Sequence, residues 1–170
     1  MSSWIAAMNP SSPITTEAEA LRAARASAIS ILIGVAAGLV SLAWTFANPQ
    51  VMQDAMAQAG AQLGEAEMAM ASQVAMYTAG FMVLLQIIFG LVQWRNPGKF
   101  IAILFLVLLA YGVLSTLAGP LLAGSMPNMP VIPMWQIALS LVVMVIQIVL
   151  HVRGLNGIKQ RDRIQMEQAR

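Results

Sequence analysis

The residues best suited to chemistry are polar side chains that recur along long apolar stretches of the sequence. We call this set the polar seam, and its members are Gln86, Gln93, Gln136, Ser140, Gln147 and His151. At about 100° per residue, the four members in the last stretch fall within about 60° of one another on a helix. Because an unpaired amide or imidazole is costly in lipid, we expect the seam to lie between the second and fourth stretches.

Two roles fit the polar seam: a polar path between helices, or interhelical hydrogen bonds that hold one helix against another. A proton or cation path usually uses an intramembrane carboxylate, and the apolar stretches contain no Asp or Glu. Interhelical hydrogen bonding requires only amide and hydroxyl contacts, worth about 0.6 kcal/mol each. We favour interhelical hydrogen bonding and keep the polar path as the alternative.

His151, the only histidine, has no acidic residue or cysteine near it in the sequence, which argues against a catalytic base or a metal ligand. Ser115 should sit at a different membrane depth from His151, which argues against a Ser–His pair. No catalytic residue and no cofactor are predicted, and we expect a protein that is not an enzyme.

Methionine is the other chemically distinctive residue, because thioether sulfur is soft and suits Cu(I). The closely spaced candidates are Met52, Met56, Met68, Met70, Met126 and Met129. The loops that carry them contain no histidine or cysteine, and methionine also serves as flexible apolar filler. A soft-metal site is therefore the alternative to a filler or partner-contact role.

Composition indicates lipid as the solvent for most of the chain. Of its 170 residues, 59% are hydrophobic and only 9% are charged, whereas soluble domains have about 25% charged residues. Four apolar stretches are long enough to span a bilayer, at about 26–47, 73–94, 100–119 and 131–153. The first is too long for the apolar core of a cleaved signal peptide, and we interpret it as a retained span.

Local signals mark where the helices begin and end. Thr16 and Glu19 have the spacing of a capping box, which predicts a helix start just before the first span. Pro120 is predicted to stop the third span. Gly154 and Gly157 are predicted to loosen the helix after the fourth span.

Small residues form a stripe on one face of the first span, which predicts close contact with another helix. Its members are Ser27, Ser30, Gly34, Ala37 and Ser41. The segment 50–71 is rich in Ala, Gln and Met with helical spacing, and predicts an amphipathic helical segment between the first two spans.

Orientation follows from the basic residues. All nine Lys and Arg lie in the N-terminal segment, in the turn between spans two and three, or at and after the end of span four. This positive-inside pattern predicts both termini in the cytoplasm. The sequence thus predicts an all-α integral membrane protein, a four-transmembrane-helix bundle with a leader (residues 1–16), a membrane domain (17–153) and a basic tail (154–170).

We expect the bacterial plasma (inner) membrane as the location. The predicted partners are the lipid bilayer and other membrane proteins or a second copy of the chain, with no nucleic acid. The basic tail would anchor the topology, with anionic headgroup binding as the alternative. The expected function is a non-enzymatic accessory, scaffolding or assembly subunit. The alternative is a small transporter or permeation protein for a soft metal ion or small solute.

Overall fold

A computed structural model describes residues 4–50, 64–123 and 134–170, and no strand occurs among them. Its helices are α1 (Trp4–Met8), α2 (Glu17–Ala24), α3 (Ala26–Ala47), α4 (Glu65–Arg95), α5 (Lys99–Ala123) and α6 (Met134–Gln168). Most of the predicted amphipathic segment 50–71 lies outside the described residues. From residue 65 onward, that segment belongs to α4 and continues span two beyond its predicted start.

Four helical segments are long and apolar enough to cross a membrane, at Glu17–Ala47, Ala69–Arg95, Lys99–Leu122 and Met134–Gln168. The prediction of an all-helical chain with four span-length helices is therefore confirmed for the described residues. The bounds of α3 are those predicted for span one. The other three segments contain the predicted spans, except for residues 131–133, which are not described.

Two predicted helix ends differ from the structure. Helix α5 continues through Pro120 to Ala123. Proline removes one backbone hydrogen bond, to the carbonyl four residues before it, and can kink a helix without ending it. Helix α6 continues without a break through Gly154 and Gly157 to Gln168. Each glycine costs about 1 kcal/mol of helix propensity, and the structure shows that both are close contacts with α2 and α3 rather than points of loosening.

The predicted capping box is present at the start of α2. The Thr16 hydroxyl oxygen accepts from the Glu19 backbone N–H at 3.2 Å, and the Glu19 carboxylate accepts from the Thr16 N–H at 3.2 Å. Arg25, between α2 and α3, also has helical backbone angles. The two helices therefore follow one another closely and lie together along α6.

Helix α6 is the centre of the arrangement, since it packs against α2, α3 and α5, while α3 also packs against α4. Neighbouring span helices are antiparallel. The α4–α5 pair is linked by a turn and by an edge contact between the rings of Phe89 and Phe105, with centroids 5.9 Å apart. This topology brings all nine Lys and Arg to one end of the bundle, which we call the basic end, and we call the opposite end the far end.

Candidate functional site

His151 lies in a fully buried contact between α6 and α3. Its Nδ1 is 2.8 Å from the Ser27 hydroxyl oxygen, and both side chains are 0% exposed. The imidazole also stacks on the Phe105 ring of α5, with centroids 6.0 Å apart and 18° between the planes. One imidazole thus joins α3, α5 and α6 near the basic end.

One turn along α6 towards the far end, Gln147 makes a second pair of contacts with α3. The Ser30 hydroxyl donates to the Gln147 carbonyl oxygen at 3.0 Å, and the Gln147 side-chain amide donates to the Ser30 carbonyl oxygen at 3.0 Å. Each residue therefore bonds to the other's backbone. In lipid, where no water competes, such reciprocal bonds fix the register of the two helices.

Small residues allow these hydrogen bonds by bringing the helix backbones together. A Cβ added at Gly154 would lie 2.8 Å from the Ser27 backbone nitrogen, and one added at Gly157 would lie 2.8 Å from the Ala20 carbonyl oxygen. Real Cβ atoms do not approach neighbours this closely. Gly34, a member of the predicted small-residue stripe, lies in the same interface. A Cβ added there would be 3.1 Å from the Gln147 side-chain nitrogen, so the missing side chain of Gly34 leaves room for the Gln147 amide.

A central cavity of about 240 Å³ adjoins these contacts, and all four span helices line it. Its polar lining comes from Gln86, Gln147 and His151, and its apolar lining includes Phe105 and Met144. The His151 Nε2 is buried and has no hydrogen-bond partner among the described residues. Because a buried polar atom normally has a partner, this nitrogen has capacity for a water molecule or a small polar group in the cavity.

The rest of the polar seam lies elsewhere. Gln93 is fully buried, but it folds over the turn between α4 and α5, donating to the Gly98 carbonyl at 3.2 Å and accepting from the Gly98 N–H at 3.0 Å. Gln136 and Ser140 are exposed on α6 towards the far end. The structure thus brings together Gln86, Gln147 and His151 at the cavity and separates them from the other three.

The methionine candidates are largely beyond what the structure describes. Met52, Met56, Met126 and Met129 lie outside the described residues, and Met70 is 68% exposed on α4. The position of the Met68 side chain is also not described. Among the described residues, no group of three or more His, Cys, Asp or Glu side chains could hold a metal ion.

The structure shows a set of contacts that holds the leader at the basic end and that was not predicted from the sequence. Arg153 is 4% exposed, and its guanidinium donates to the carbonyls of Ala7 and Ser12, both at 2.9 Å. The Trp4 ring stacks on the Trp94 ring at 5.7 Å, and the Arg25 guanidinium lies 5.3 Å from the Trp94 ring centroid. The sequence signal for these contacts is an arginine at the end of the predicted fourth span.

Together, these features define a class of protein: an all-helical chain whose four long apolar helices have the length and composition of membrane spans. Comparison with known protein families, with curated proteins and with solved structures finds no match to this chain. Because a helical bundle by itself carries no function, the function has to be argued from the contacts just described.

Proposed function

We propose that this protein is a non-enzymatic accessory, scaffolding or assembly subunit of a membrane, with both termini on the cytoplasmic side of a bacterial inner membrane. The observation that carries the proposal is the reciprocal Ser30–Gln147 bonding beside the Ser27–His151 contact. These buried polar groups join helices. A fixed four-helix body of this kind suits a protein that acts through what it binds.

The exposed polar residues of α6 support the same proposal. Gln136 and Ser140 lie in the apolar first part of α6 and are open to the surroundings of the bundle. Polar side chains on membrane spans commonly bond to another helix, because lipid offers no partner. A contact between this face and another membrane protein would satisfy them.

The alternative is a small transporter or permeation protein, and the observation that favours it is the central cavity with the unpartnered His151 Nε2. A path would have to continue from the cavity to the basic end. One to two turns in that direction, Ala24, Ala102 and Ile158 pack into a core and are 0%, 0% and 5% exposed. This packing argues against a through path to the basic end.

Photocrosslinking tests the accessory role. A photoreactive amino acid replaces Ser140, and a matched control replaces Val107, an exposed apolar residue of α5. We expect one defined membrane-protein adduct from position 140 in native membranes and none from position 107. Adducts of the same pattern from both positions, or none from either, would contradict a specific partner on this face.

A flux assay tests the alternative in liposomes that contain the purified protein. Uptake of Cu(I) or of small uncharged solutes should equal that of empty liposomes. Uptake above that of empty liposomes, if it is lost in the Gln86→Leu variant, would instead establish a transporter. For the metal, Cu(I) binding should be unchanged when Met52, Met56, Met68 and Met70 are replaced by Leu.

Tags test the orientation independently of both roles. A tag inserted at residues 60–64 should be accessible from the periplasmic side and a tag after Arg170 from the cytoplasmic side. Tags on the same side would contradict a four-span topology.

A further inference from the structure

A large groove lies at the basic end, between the leader, the start of α5 and the part of α6 beyond the predicted span. Its volume is about 920 Å³. Four cationic side chains line this basic groove together with a single carboxylate: Lys99, Arg153, Lys159, Arg163 and Asp162. The side chains of Ser12, Asn156 and Gln160 add polar atoms to the same lining.

The positive charge of the groove is only partly neutralised. Lys99 pairs with Asp162, with Nζ and Oδ2 2.6 Å apart, and Arg163 pairs with Glu167 of its own helix at 3.1 Å. These pairs involve exposed or half-exposed side chains, so solvent weakens them. Lys159 is exposed, and neither it nor Arg153 forms a salt bridge in the described part of the chain.

Arg153 is the fixed part of the groove. It is almost completely buried, and the carbonyl oxygens of Ala7 and Ser12 hold its Nε and Nη1. These carbonyl oxygens accept hydrogen bonds from Nε and Nη1 but leave the net charge of the guanidinium in place. A buried charge without a counter-ion is costly, so an anion near Arg153 would be strongly favoured. The backbone carbonyls already hold the Arg153 guanidinium in place for such an anion.

The location of the groove indicates the kind of anion. Lys99 begins α5 and Arg153 ends the predicted fourth span, so both lie where lipid headgroups would surround the bundle. Basic pockets between helices at this level suit phosphate-bearing headgroups. The apolar side chains of Ile14 and Met166 also line the groove. We propose that the basic groove binds the phosphate group of an anionic phospholipid at the basic end of the bundle.

This proposal rests on the membrane placement of the four helices but not on the accessory role. The test uses the full-length protein in neutral detergent, titrated separately with short-chain phosphatidylglycerol, with phosphatidylcholine and with inorganic phosphate. We expect phosphatidylglycerol to bind more tightly than either of the others. Equal binding of phosphatidylcholine would overturn the electrostatic argument. Equal binding of inorganic phosphate would overturn the assignment to a lipid.

Charge-matched variants test the site itself. A cation that lines the groove should contribute about five-fold in affinity for an anionic lipid, which corresponds to about 1 kcal/mol. Lys159→Gln with Arg163→Gln should weaken phosphatidylglycerol binding by about 25-fold. Arg161→Gln with Arg170→Gln removes the same charge from the same C-terminal segment, outside the groove, and should leave the affinity near that of the unmodified protein. Equal losses in the two double variants would overturn the groove and leave only a general surface potential.

A variant that binds more tightly distinguishes a specific effect from unfolding, because unfolding would only weaken binding. Asp162→Asn removes the only carboxylate among the described residues that line the groove and releases Lys99, so binding of phosphatidylglycerol should tighten about five-fold. Glu17→Gln removes a carboxylate at the same end that bonds to Gln165 outside the groove, and should not change the affinity. If Asp162→Asn left the affinity unchanged or weakened it, the proposal would be wrong.

Discussion

Gly157→Ala should separate α6 from α2, because the added methyl group would meet backbone. A Cβ at Gly157 would lie 2.7 Å from the Ala23 carbonyl carbon and 2.8 Å from the Ala20 carbonyl oxygen. Ordinary contacts begin near 3.4 Å, and these atoms belong to a helix backbone that has no rotamer to change. The two helices must therefore move apart by several tenths of an ångström along this interface.

The energetic effect combines two opposing contributions. Overpacking typically costs about 1–3 kcal/mol, and rigid backbone at the contact places this site at the upper end. Alanine regains about 1 kcal/mol of helix propensity over glycine. The net loss should be about 1–2 kcal/mol. In a thermal unfolding experiment in detergent, each kcal/mol should lower Tm by about 2–4 °C for a chain of this size.

Gly80→Ala is the matched control for this experiment. Gly80 also lies inside a span-length helix, but a Cβ there would have no neighbour within 4 Å among the described residues. This change should leave Tm unchanged or raise it slightly, since only the propensity gain applies. If Gly157→Ala behaved like Gly80→Ala, the α2–α6 interface would not be as close as the structure indicates.

Three other substitutions test contacts that hold the basic end together. Ser27→Ala leaves the His151 Nδ1 buried without its partner and should cost about 1–2 kcal/mol in thermal unfolding, whereas similar stability would show that the contact is dispensable. Arg153→Gln should free the leader and make its peptide bonds sensitive to limited proteolysis. The control Arg170→Gln, at an exposed position, should not have this effect. Equal cleavage of the two variants would argue against anchoring of the leader by Arg153. Thr16→Ala removes the capping oxygen and should cost about 1 kcal/mol by the same unfolding assay, with no loss expected if the start of α2 frays anyway.

The four long apolar helices could be predicted from the sequence because a lipid environment would impose one simple rule on them. Every backbone group must bond within its own helix, so length and hydropathy alone locate the spans. The limits of this rule appear at Gly154. Propensity predicts loosening there, but the interface with Ser27 needs a residue without a side chain, and tertiary contact determines the outcome.

The candidate site was less predictable, because helical periodicity gives a face but not the neighbour of that face. Gln136 and Gln147 share a face of α6, yet Gln147 is buried against α3 while Gln136 is exposed. Gln93 was grouped with Gln86 by the same reasoning, but it lies close enough to the turn to bond with Gly98. The cavity and its unpartnered imidazole nitrogen depend on where four helices meet, and no single-helix pattern contains that information.

The uneven distribution of polar contacts along α6 bears on how the protein works. From Gln147 to Gly157, the helix is held to α2–α3 by hydrogen bonds and by close contacts at its glycines. Towards the far end, Ser140 and Gln136 are exposed in the described part of the chain, and a Cβ at Gly119 of α5 would meet nothing within 4 Å. This unevenness supports the proposed role in binding another membrane protein, because the described polar residues of α6 towards the far end are exposed. It would also separate the two interactions that we propose, a lipid headgroup at the basic end and a protein neighbour towards the far end, so we expect that loss of one would not abolish the other.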